Sequence, residues 1–171
     1  MIRTPHNFTD RRFLAPSWWL ICVSIVFGFM LETIPLPNWA SSWRPIWIPM
    51  IIFYWSFNSS GKAGIIFSFS VGLLFDVING STLGEHALGL SIVSLIAIIY
   101  AKRFRVYPLT QQSLFIGFLL FVYSGSIMKI QNFDSDMFYT GFKFFYPLIS
   151  SALLWPWISL ILGGLSKKFN T

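Results

Sequence analysis

Two carboxylates stand inside apolar runs of this chain, and a charge at such a depth is costly enough to require a reason. Glu32 lies near the end of the first run, a turn before Pro35, and Asp76 lies near the end of the third. Asp76 has the more informative setting. Counting back by four gives Gly72, Ser68 and Gly64, and counting forward gives Gly80. Residues four apart form a ridge on a helix, so this segment is expected to carry a stripe of small residues ending in one carboxylate. Small residues let a second backbone approach closely, which is how helices associate where hydrocarbon surrounds them. The stripe reads as a packing seam. Asp76 is expected to pin its end, bonded to a neighbouring helix or to backbone amides of the Gly80-Ser81 turn. A ligand or proton site at Asp76 is the alternative. The next apolar segment answers with Ala87, Ser91, Ser94, Ala97 and Ala101, also three or four apart.

The remaining catalytic inventory is thin. The two histidines, His6 and His86, do not stand at metal-ligand spacing, and His-Glu-x-x-His is absent. No serine lies in a Gly-x-Ser-x-Gly elbow, and no phosphate-binding glycine pattern occurs. His86, beside Glu85, reads as a helix-start or interface residue. Asp134 and Asp136 read as a solvated pair in a polar loop. No catalytic residue, metal site or cofactor is expected, and an enzyme is the weakest class.

The elements that must position these residues follow from composition. Of 171 residues, 55% are hydrophobic, 19% aromatic and 11% charged, against roughly a quarter charged in soluble domains. Nineteen Phe and eight Trp exceed what a soluble globule of this size can bury. A water-soluble enzyme, a DNA-binding module and a disordered chain are excluded, and the net charge of +6 is not a nucleic-acid footprint. The lone Cys22 forms no internal disulfide. A basic tail over residues 1–16 precedes six apolar segments within residues 17–168: Trp18–Pro35, Ile46–Phe57, Ala63–Ile78, Ala87–Ala101, Gln112–Ile130 and Phe144–Leu165. Pro45 is expected in the first turn of the second. A hydrocarbon core of roughly 30 Å needs about 20 helical residues, so the second to fourth are marginal. The expectation is an all-α polytopic membrane bundle of about six transmembrane helices, with four or five plus a re-entrant piece as the fallback.

Orientation follows from counting. With the N-terminus inside, the inner segments carry Arg3, Arg11, Arg12, Lys62, Lys102, Arg103, Arg105, Lys167 and Lys168, and the outer loops carry Arg44, Lys129 and Lys143. Nine against three obeys the positive-inside rule and puts both termini in the cytoplasm. Trp18, Trp19, Trp39, Trp43 and Trp47 suit headgroup-level anchors, with an aromatic ligand cage as the alternative.

Three blocks then appear in order. Arg44-Pro45 precedes a short apolar span ending Phe53-Tyr54-Trp55. Gly72-Leu73-Leu74-Phe75-Asp76-Val77-Ile78-Asn79-Gly80-Ser81-Thr82-Leu83-Gly84 is followed by Ala87-Leu88. Leu154-Trp155-Pro156-Trp157 lies in the last segment. Over roughly residues 18–168 the chain resembles the MreD family of bacterial rod-shape-determining inner-membrane proteins. The resemblance implies a non-enzymatic scaffold of the cell-wall elongation machinery. Its partner would be the single-span protein MreC. Through MreC it would reach RodA, RodA's transpeptidase partner and, indirectly, MreB. It also implies a six-helix fold similar to the S components of energy-coupling-factor transporters, whose likeness supports a small-molecule-binding transport subunit as the competing reading. The residues carried as structural, partner or ligand candidates are Asp76, Gly72, Ser68, Gly64, Gly80, Ser81, Gly84, Arg44, Pro45, Trp155, Pro156 and Trp157. Membrane lipid is an expected contact and nucleic acid is not.

Overall fold

Helix boundaries fall where the sequence places residues that cannot continue a helix or that satisfy its ends. The structure, a computed structural model, describes residues 18–37, 41–58, 63–104, 106–130 and 137–169. Among these residues there are six helices: α1 (Trp18–Thr33), α2 (Trp47–Asn58), α3 (Ile65–Asn79), α4 (Glu85–Phe104), α5 (Leu109–Ile130) and α6 (Met137–Phe169). The basic tail 1–16, His6, Trp39, Lys62, Arg105, Asp134 and Asp136 lie outside the described residues.

Arg44 closes α1, its guanidinium donating to the Glu32 and Ile34 carbonyls left open at the helix end. Glu32 in turn serves α2, whose Trp47 amide donates to Glu32 Oε2 at 3.3 Å. The proline in the first turn of α2 is Pro49, where a missing N–H costs nothing. Pro45 precedes the helix instead of starting it. α4 runs past its expected ends to Glu85 and Phe104, with an acidic residue in its first turn and Lys102 and Arg103 in its last, both favoured by the helix dipole. α6 continues through Pro147 and Pro156, and the hydroxyls of Ser150 and Ser151 bond the Pro147 carbonyl.

α2 sits at the centre: ten of its twelve residues are buried, as a helix apolar on every side requires, and it packs on α1, α4, α5 and α6. α3 lies outermost against α4, in the most extensive helix pair of the bundle. Large apolar side chains such as Val26, Ile66, Leu74, Leu114, Leu153 and Leu160 face outward, an unacceptable surface in water and the expected one in hydrocarbon. Glu85–Phe104, Leu109–Met128 and Phe145–Ser166 are long and apolar enough to cross a membrane, while α1 and α3 are shorter apolar helices.

Candidate functional site

The seam between α3 and α4 begins with a close approach. A Cβ on Gly72 would collide with the Cα of Ala87 and lie 2.8 Å from its amide nitrogen. No side chain fits there without separating the backbones. One turn toward the other end, Ser68 Oγ lies 2.9 Å from Ser94 Oγ, which lies 3.1 Å from Ser56 Oγ, so three hydroxyls join α3, α4 and α2. Gly64 precedes α3 and its carbonyl accepts from the Ser68 amide and hydroxyl. Ala97 is fully buried on the same face of α4.

At the opposite end Asp76 is fully buried and fully bonded. Its Oδ1 accepts from the His86 amide (3.0 Å), the His86 ring Nδ1 (2.7 Å) and the Ser81 hydroxyl (3.0 Å), and Oδ2 accepts from the Gly84 amide (2.8 Å). A carboxylate can only accept here, so the imidazole proton facing it sits on Nδ1. Four donors converging on one carboxylate is a geometry in which the burial of a charge is compensated. The loop that delivers them depends on two glycines. Gly80 ends α3 with φ +65°, and Gly84 carries φ +101° immediately before α4, both in the left-handed region that other residues rarely adopt. Ser81 adds its own amide to the Asp76 carbonyl at 3.1 Å. Thr82 Oγ1 donates to Glu85 Oε2 at 2.8 Å, bracing the turn into α4.

Around this hub lie further polar groups. Tyr123 of α5 passes across Gly89 of α4, whose added Cβ would meet the Tyr123 ring at 3.2 Å. Glu85 Oε1 and the Tyr123 hydroxyl are buried without a hydrogen-bond partner, as is Trp155 Nε1 elsewhere in the core.

The sequence-derived candidates thus separate into three groups. Asp76, Gly72, Ser68, Ser81, Gly80 and Gly84 meet in one seam and its terminal loop, with Gly64 at its far end. Arg44 and Pro45 lie in the α1–α2 connection, with Arg44 capping α1. Trp155 and Trp157 are near neighbours yet opposed: Trp155 is 1% exposed and Trp157 68%, with Pro156 between them inside the continuous α6. His86, read as a helix-start or interface residue, is the second residue of α4 and also the chief partner of Asp76, a pairing that sequence reasoning did not make. Glu85 and Tyr123 were not singled out as a pair, because nothing in their spacing links α4 to α5. Among the described residues no group of three or more His, Cys, Asp or Glu is placed to hold a metal.

Fold and site together define an all-helical membrane protein whose buried polar groups tie its helices to one another. Residues 12–163 match the family profile described as rod shape-determining protein MreD. The rod shape-determining protein MreD of Haemophilus influenzae is 31% identical over 155 residues, covering 89% of this chain and 93% of that protein. The chain belongs to the MreD family of rod shape-determining membrane proteins. No solved structure matches it.

Proposed function

We propose that this protein is a non-enzymatic scaffold subunit of the cell-wall elongation complex in the bacterial inner membrane, required for rod shape. In this reading it binds the single-span protein MreC and through it supports lateral peptidoglycan synthesis by RodA and its transpeptidase partner, with MreB on the cytoplasmic side. The observation that carries the reading is the family match over most of the chain. The bonding of Asp76 agrees with it, since all four of its contacts are spent inside the protein. In this reading all six helices cross the membrane, the short α1–α3 included, with both termini in the cytoplasm as the distribution of basic residues favours.

The test is replacement of the resident MreD in a rod-shaped host. This chain is expected to restore rods and to co-purify with MreC in a fixed ratio; round cells despite normal membrane abundance contradict the proposal. Reporter fusions at Thr171 and near Asp134 are expected to read cytoplasm and periplasm respectively. A second reading, a small-molecule-binding transport subunit of the S-component type, draws support from the unpartnered Glu85 Oε1 and Tyr123 hydroxyl beside the hub. Thermal stabilisation of the purified protein by a small solute, lost in Tyr123→Phe, would favour it over the scaffold.

A further inference from the structure

On the side of the bundle away from α3, an open groove of about 400 Å³ runs between α1 and α6, with α2 as its floor. The floor is a straight stripe of Trp47, Ile51 and Trp55, four residues apart. The α1 wall runs from Leu20 to Leu31 and the α6 wall from Ile158 to Leu165. The indole of Trp55 and the hydroxyl of Ser24 are already used: Trp55 Nε1 donates to Ser24 Oγ at 2.8 Å, and Ser24 Oγ donates to the Ile21 carbonyl at 2.8 Å. The surface this lining presents is almost wholly apolar, so its occupant is hydrocarbon.

Dimensions decide which hydrocarbon. At 1.5 Å per residue the floor stripe is about 12 Å long and the α1 wall about 16 Å, close to half of a hydrocarbon core of about 30 Å. That length suits one extended acyl chain from one leaflet. Charge marks the leaflet. Lys168, exposed in the last turn of α6, lies three residues beyond Leu165 and seven beyond Ile161, so it continues the α6 stripe past the end of the groove. Trp19 lies four residues before Val23 on the corresponding stripe of α1, and an indole suits the headgroup level.

We propose that this groove is a lipid site: one acyl chain of a phospholipid lies along α2 between α1 and α6, and its phosphate is held by Lys168. The site rests only on the chain being a membrane protein, so it stands or falls independently of the scaffold reading. The test uses the full chain purified from bacterial membranes in mild detergent and weighed intact by native mass spectrometry. One phospholipid is expected to stay with each chain. Ile161→Trp, which fills the groove from an exposed position, is expected to lower its retention at least tenfold. Lys168→Glu, at the exposed helix end, is expected to lower it about fivefold, the loss of one basic contact near a lipid surface. A photo-reactive benzophenone residue in place of Ile161 is expected to label phospholipid. Absence of a retained lipid overturns the proposal, as does retention unchanged in both variants. Labelling of a polypeptide at position 161 in membranes also overturns it, because the groove would then hold a partner helix. If Ile161→Trp fails to accumulate, Lys168→Glu and the labelling experiment decide.

Discussion

Two sides of the bundle solve the same problem in opposite ways. On the α4 side, small residues bring backbones into contact, and hydroxyls and one carboxylate fasten what the small residues leave bare: Gly72 against Ala87, Ser68 with Ser94 and Ser56, Asp76 with Ser81, Gly84 and His86. On the α1 and α6 side, large apolar residues hold the helices apart and leave an open groove. The difference teaches how a helix bundle divides its surface when water supplies no drive for association. Close contact with internal hydrogen bonds makes a seam that stays shut, while a face built of Leu, Ile and Trp remains available to the membrane.

The comparison breaks most severely at the hub. Asp76→Leu removes the acceptor for four donors in a buried loop and is expected to cost about 3–5 kcal/mol, read as a large fall in membrane abundance and in the thermal midpoint of the purified protein. Gly72→Leu comes next. The obstacle is the Ala87 backbone and not a flexible side chain, so relief requires separating α3 from α4, and about 3 kcal/mol is expected. Asp76→Asn sharpens the comparison further. Its amide oxygen can take the place of Oδ1, but its NH₂ then faces the Gly84 N–H, and one lost acceptor is expected to cost about 2 kcal/mol. On the open side, Ile161→Trp is expected to change stability by less than about 0.5 kcal/mol. A thermal midpoint as low as that of Gly72→Leu would show the groove to be part of the core.

The seam was largely legible in the amino-acid sequence, because spacing by four is a property of helix geometry alone: Gly64, Ser68, Gly72 and Asp76 had to share a face, and Ala87, Ser94 and Ala97 had to face something. The Asp76–His86 pair was not legible. Ten residues separate them, and their meeting depends on the path of the loop through two positive-φ glycines, which no periodicity encodes. The role of α2 was half legible. Its length marked it as too short to span easily, and its apolar residues on every side allowed central burial, but the order of helices around it is set by long-range packing. The groove was invisible for the same reason, since its walls come from residues more than a hundred positions apart. Trp155 and Trp157 illustrate the limit within one helix: two identical side chains took opposite environments because each residue turns the helix by about 100°.

The central claim is that Asp76 fastens the fold and performs no chemistry of its own. The most direct measurement sets cell length-to-width ratio against membrane abundance for wild type, Asp76→Asn and Asp76→Leu, each expressed over a graded range in a rod-shaped host lacking its own MreD. The account predicts that all three fall on one curve, with rod shape restored wherever enough protein accumulates. Round cells at wild-type abundance of Asp76→Asn would contradict it and make the carboxylate a functional group.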